Sequence, residues 1–162
     1  MIRPAQKSDL PMIETVYAAA RAYMVQSGKP HQWGDGYPKR LLLESDIEKG
    51  QLFICEIEGV IRGVFAFILG DDPTYGYIED GKWPNALPYG TIHRIASDGK
   101  VKGIFTKCFQ YALTRADEIR IDTHHDNKTM QHVVQKHGFR RCGIIYLENG
   151  DPRIAYQYSK DQ

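Results

Sequence analysis

The chain has 162 residues, 42% hydrophobic and 25% charged, with 21 Lys+Arg against 20 Asp+Glu for a formal net charge of +1. That balance argues against the strong basic field used to hold nucleic acid. No apolar run approaches the roughly 18 residues that a membrane-spanning helix needs. A chain of this length is expected to fold as one domain over 1–162 and to bury roughly 68–70% of its unfolded surface.

The elements follow in chain order. MIRPA reads as a short strand stopped by Pro4. Leu10, Ile13, Val16, Tyr17, Ala20 and Met24 then recur at helical spacing, with Ser8 or Asp9 as the expected N-cap and Gly28 and Pro30 as the stop. GKPHQWGDGYP reads as loop, and KRLLLESDIEKG as a second helix closed by Gly50. QLFICEIEG and VIRGVFAFILG are two strands joined at Glu58-Gly59 in a hairpin. DDPTYGYIEDGKWPNALP is turn-rich and is expected to be a surface excursion. YGTIHRIAS is a strand, followed by a helix starting near Val101–Gly103 and running to about Arg115. EIRIDTH is a strand, DNKTMQHVVQKHG a helix, and FRRCGIIYL and RIAYQYS a final pair of strands around ENGDP. The order β-α-α-β-β-β-α-β-α-β-β implies an α/β (α+β) fold with a mixed sheet.

Cys55, Cys108 and Cys142 are odd in number, widely spaced and set in apolar surroundings. Buried free thiols in a reducing, cytoplasmic compartment are expected, not a disulfide framework or zinc site. The start MIRPAQKSDL has no apolar core of the kind a secretory signal carries. His124, His125, Asp126, His132 and His137 invite a metal reading. His132 and His137 diverge on a helix, adjacent histidines are expected to splay apart, and no H-E-x-x-H occurs, so no metal is expected.

The stretch IHRIASDGKVKGIFTKCF is the most informative. An apolar strand gives way within a few residues to a helix whose first turn offers N–H groups at the positive end of its dipole. Gly99 permits a left-handed turn and Gly103 a close backbone approach, while Lys100 and Lys102 add charge. These features suit a phosphate. Neither a Walker A pattern nor G-x-G-x-x-G is present.

The order of elements, HRIASDGKVKGIF, DTHHDNKTMQHVVQKHGF and the closing GFRRCGIIYLENGDPRIAYQY together resemble the GNAT superfamily of acetyl-CoA-dependent N-acyltransferases. The resemblance covers nearly the whole chain. The family's loop pattern, Gln/Arg-x-x-Gly-x-Gly/Ala, falls on Lys100-Val101-Lys102-Gly103-Ile104-Phe105, with Phe105 in place of a small residue. The resemblance implies that Ile95, Ala96 and Ser97 offer backbone groups to the pantetheine arm of acetyl-CoA. It also implies that Lys100 and Val101 through Thr106, with Gly103 and Ile104 among them, hold the pyrophosphate, and that Asn127 bonds the cofactor. Asn127 also suits a helix N-cap. The Phe105 ring must turn toward the core, as its spacing with Phe109 allows.

An amine acceptor needs a route for its proton. His93 precedes the loop, shares strand parity with Ile95 and Ser97, and is the candidate general base. Structural packing, or pairing with a neighbour, is the competing explanation for this histidine. The family's tyrosine acid falls at Val134, so no acid is carried over, and Tyr146 is a poor substitute. Trp33 and Tyr37 sit in the loop expected to wall the acceptor, and Asp35, Glu79 or Asp80 could meet a cationic amine. The expected partner is a small-molecule or peptide amine, with no nucleic acid or membrane, and the chain admits a homodimer. A non-catalytic acyl-CoA sensor on the same fold is the alternative.

Overall fold

The computed structural model describes residues 1–26 and 36–161. Its strands are β1 (Ile2–Pro4), β2 (Leu52–Ile57), β3 (Val60–Leu69), β4 (Gly90–Ser97), β5 (Glu118–Thr123), β6 (Arg140–Tyr146) and β7 (Pro152–Ser159). Its α-helices are α1 (Leu10–Gln26), α2 (Arg40–Glu48), α3 (Ile104–Leu113) and α4 (Lys128–Lys136). The α and β elements come in the expected order, and the strands form one mixed sheet, β1-β2-β3-β4-β5-β7-β6. Strands β4 and β5 pair in parallel, whereas β1–β2, β2–β3, β5–β7 and β6–β7 are antiparallel. Glu58 and Gly59 both have positive φ, 52° and 79°, as a two-residue hairpin turn with right-twisted strands requires.

The described chain divides into two compact units. One comprises Met1–Phe67 and Arg94–Tyr111, the other Ile68–His93 and Ala112–Gln162. In the first, Leu10, Ile13, Val16 and Tyr17 of α1 pack with Leu43 of α2 and with Leu52, Ile54, Val64 and Ala66 of the hairpin. The start of α3 lies so close to β3 that a Cβ on Gly63 would stand 2.5 Å from Ile104 Cγ2, a contact only glycine permits. All three cysteines are buried and free, as expected.

Several boundaries move. Asp9 does not cap α1. It ends a 3-10 turn, Lys7–Asp9, and its carboxylate accepts the Gln6 N–H at 2.8 Å, because the chain tightens one turn before the α-helix begins. The third helix starts at Ile104, and Val101–Gly103 form a turn ahead of it. The expected stop at Gly28 and Pro30 lies outside the described residues.

In the second unit the stretch after Gly70 is not merely a surface excursion. Tyr75 and Tyr89 are buried and pack with Ile145 and Ala155, with Ile78, Trp83 and Leu147 against them. The segment covers a polar face of the sheet. Thr91 of β4 pairs with Arg120 of β5, and Arg120 and Glu118 pair with Gln157 and Ser159 of β7, so these side chains share one side. The Arg120 guanidinium lies 3.9 Å from the Trp83 ring centroid and 3.8 Å from that of Tyr89, while its Nε donates to Gln157 Oε1 at 2.8 Å. Glu118 Oε1 accepts from Asn85 Nδ2 at 2.7 Å, Gln157 Nε2 at 2.9 Å and Ser159 Oγ at 2.5 Å. The charged and amide groups of Glu118, Arg120 and Gln157 are paired within this layer, as burial demands, whereas the buried Thr91 Oγ1 has no partner among the described residues.

Candidate active site

In the first unit the loop after β4 is built around Asp98. Its N–H donates to the Arg62 carbonyl at 3.1 Å, its Oδ2 accepts from Arg62 Nη1 at 2.9 Å, and its Oδ1 accepts the Lys100 N–H at 3.0 Å. Burial works against the Asp98 charge, but the Lys100 N–H and the Arg62 guanidinium outweigh it and hold the carboxyl below its ordinary range. The aspartate thus folds the chain back and commits the Lys100 N–H. Gly103 then adopts φ 82° with open space where a Cβ would project, and Lys107 N–H returns to the Gly103 carbonyl at 3.2 Å. A left-handed glycine directly before a helix start exposes backbone to an incoming anion. Phe105 is half-buried and stacks on buried Phe109, with ring centroids 6.2 Å apart, so its ring follows the inward-facing row of α3.

Strand β4 does not alternate strictly. Arg94 has φ 52°, a left-handed conformation that breaks the pleat, so the parity expected between His93 and Ile95 does not carry through it. Arg94 is clamped at both ends. Tyr17 Oη donates to its carbonyl at 2.7 Å, and its guanidinium bonds Asp46 at 2.9–3.1 Å. Tyr37 also acts on Arg94, and Arg21 Nη1 donates to the Tyr37 carbonyl at 3.0 Å. Trp33 and Asp35 lie outside the described residues.

In the second unit His93 bonds Asp72 through Nε2 at 2.8 Å. Asp72 caps the 3-10 turn Pro73–Tyr75, its Oδ1 accepting Thr74 N–H at 2.8 Å and Thr74 Oγ1 at 2.7 Å. Burial opposes the Asp72 charge, yet the bonds from His93 and Thr74 prevail and bring its carboxyl down to about 2. On β5, Asp122 accepts from Tyr75 Oη at 2.7 Å, and there burial wins and pushes the carboxyl up.

Asn127 caps α4, its Oδ1 accepting the Met130 N–H at 3.1 Å. Val134, where the resemblance would place a tyrosine acid, is fully buried. Tyr146 donates to Glu79 Oε1, Tyr77 donates to Glu79 Oε2 at 3.0 Å, and the Glu79 backbone is bonded both ways to Ile144 at 2.8 and 2.9 Å. Among the described residues no Lys, Arg or His pairs with Glu79, whereas Asp80 pairs with Arg141 at 3.1 Å. His124 and His125 do not splay. Their rings stack with centroids 4.3 Å apart, because the chain turns between β5 and α4, and together with Asp126 they place three ligand atoms within 4.8 Å. Sequence reasoning missed Asp98 and Asp72, although D-G after a strand and D-P-T before a turn are capping signals.

The sheet carries one parallel pair, β4–β5, a left-handed glycine precedes α3 and an asparagine caps α4. A GNAT-family acetyltransferase from Streptococcus agalactiae is 31% identical, with 100% of this chain and 96% of that chain covered and a TM-score of 0.88. A GNAT-family acetyltransferase from Listeria monocytogenes is 20% identical, covering 98% and 94%, at TM-score 0.72. The ribosomal-protein-alanine N-acetyltransferase of Brucella melitensis is 17% identical, covering 98% and 99%, at TM-score 0.63, and shares the fold. No family model matches the sequence, and no curated protein does. The chain belongs to the GNAT family of acetyltransferases. No helix among the described residues is long and apolar enough to cross a membrane.

Proposed function

We propose that residues 1–162 act as a single acetyl-CoA-dependent N-acetyltransferase domain, in the cytoplasm, on the amine of a small molecule or peptide. One observation carries this reading: Gly103, left-handed and open at the start of α3 in a loop pinned by Asp98. Lys100 and Val101 through Thr106 would hold the phosphates, with Ile95, Ala96 and Ser97 along the pantetheine arm and Asn127 bonding from α4. Acetyl-CoA, when bound, supplies an activated thioester carbonyl. The chain's own task is to present a neutral amine. For a lysine-like pKa of about 10.4, only ~1 in 2,500 molecules is neutral at pH 7, a population cost of about 4.6 kcal/mol. A proton acceptor is therefore useful, and His93 is the residue assigned to it. Trp33 and Tyr37 remain assigned to the acceptor side. Glu79 is the carboxylate best suited to a cationic acceptor, since two tyrosines fix it and no cation among the described residues neutralises it.

The test is binding. Acetyl-CoA at millimolar concentration should raise the melting temperature of the chain, and Gly103→Glu should abolish the shift. No shift in either protein overturns the reading. A second reading, a non-catalytic acyl-CoA sensor, is supported by the buried Val134 at the family's acid position. It predicts the thermal shift without thiol release in the presence of amines.

A further inference from the structure

We propose that His93 receives the acceptor's proton at Nδ1, and that Asp72 is the positioning residue that fixes the imidazole tautomer and ring for this task. The proposal rests on the N-acetyltransferase reading above and names the atom that performs its proton transfer.

The geometry decides between the two ring nitrogens. Asp72 uses Oδ1 for its own cap, accepting the Thr74 N–H and Oγ1, and turns Oδ2 to His93 Nε2 at 2.8 Å. Its backbone is held as well, since its N–H donates to Tyr89 Oη at 2.8 Å. A carboxylate held ionised is an acceptor only, so Nε2 must carry the hydrogen. In the neutral ring that leaves the lone pair on Nδ1. Pro73 at the first position of the turn and Asp72 at its cap make the carboxylate rigid before any ligand arrives.

Among the described residues, other groups near His93 come from the same turn, β5 and β7. Tyr75 from the same turn sits with its ring centroid 6.4 Å from the imidazole. Asp122 from β5 is bonded to Tyr75 Oη, and the charges of His93 and of Arg153 from β7 act on it. Asp72 is therefore the carboxylate that bonds the ring. In the step, an ammonium N–H bond breaks, its electron pair stays on the amine nitrogen, and an Nδ1–H bond forms. The resulting imidazolium keeps its Nε2–H on Asp72, and the proton passes later to water. A carboxylate in this position stabilises the imidazolium and holds the correct tautomer.

Two measurements test this on the full chain. Nitrogen-15 NMR of histidine-labelled protein at pH 8 should show a pyrrole-like Nε2 and a pyridine-like Nδ1 for His93, with or without acetyl-CoA. Thiol release is then followed with acetyl-CoA and spermidine, tyramine or glycinamide. His93→Gln should lower kcat by roughly a hundredfold. Asp72→Asn, which keeps a cap acceptor, should lower kcat at least tenfold and move the acid limb of kcat/KM to lower pH, leaving KM for acetyl-CoA unchanged. The double variant should be no slower than His93→Gln alone, because the two act as a unit. A proton on Nδ1, an unmoved acid limb in Asp72→Asn, or additive losses in the double variant overturn the proposal while leaving acetyl transfer standing. No thermal shift with acetyl-CoA and no thiol release with any amine overturn the N-acetyltransferase reading, and this proposal with it.

Discussion

The clamp on Arg94 makes a strong prediction about stability. Asp46 is 4% exposed and makes three contacts of 2.9–3.1 Å with the Arg94 guanidinium. Asp46→Ala removes all three and leaves a largely buried cation without its carboxylate. Breaking a buried pair from one side costs about 3–5 kcal/mol, far more than the pair itself contributes over an apolar replacement. At roughly 2–4 °C per kcal/mol for a chain of this size, the melting temperature should fall by roughly 6–20 °C. Asp46→Leu combined with Arg94→Met removes both charges and should recover a large part of that loss. The assay is urea unfolding followed by circular dichroism, with wild type, Asp46→Leu, Arg94→Met and their double variant forming a cycle and Asp46→Ala measured beside them. If Asp46→Ala unfolds within about 1 kcal/mol of wild type, or the double variant is worse than the sum of the singles, the clamp does not hold β4 as described.

Other expectations follow from the same geometry. Asp72 is displaced from an ordinary 3.8 to about 2, so it binds fewer protons folded than unfolded between those values. Its contribution of roughly 2 kcal/mol is present above about pH 4 and is lost as pH falls toward about 2, and acid titration of Asp72→Asn should show a shallower slope in that window. Gly103→Ala meets no neighbour within 4 Å but forces alanine to φ 82°, so it should cost about 1–2 kcal/mol by thermal unfolding, without the loss of acetyl-CoA binding expected of Gly103→Glu. Val134→Tyr places a larger side chain in a fully buried site, and should destabilise by about 1–3 kcal/mol without raising kcat. Glu79→Gln should raise KM for spermidine more than for a neutral aromatic amine, measured by thiol release, and equal changes would remove Glu79 from acceptor recognition.

Most of the architecture was legible because periodicity reports burial. The face of α1 with Leu10, Ile13, Val16 and Tyr17 is buried as its spacing requires, and Glu58-Gly59 turns the hairpin. The stretch after Gly70 was not legible. Glu118, Arg120 and Asp122 alternate along β5 and read locally as a solvent face. They are covered by Tyr75, Trp83 and Asn85, which come from more than thirty positions earlier in the chain. The parity of His93 with Ile95 failed for a local reason: Arg94 is left-handed, held there by Tyr17 and Asp46, and nothing in GTIHRIAS marks it. The loop at Gly103 was readable from its glycines, whereas the role of Asp98 appears only once Arg62 and Lys100 close around it.

The central claim is acetyl transfer, and its most direct measurement is free-thiol release from acetyl-CoA by the full chain with spermidine, tyramine and glycinamide, with the acetylated amine identified by mass. The account predicts stoichiometric thiol and N-acetyl product with at least one amine, and none with Gly103→Glu. Wild-type protein that binds acetyl-CoA but yields no N-acetylated product from any of them would contradict it.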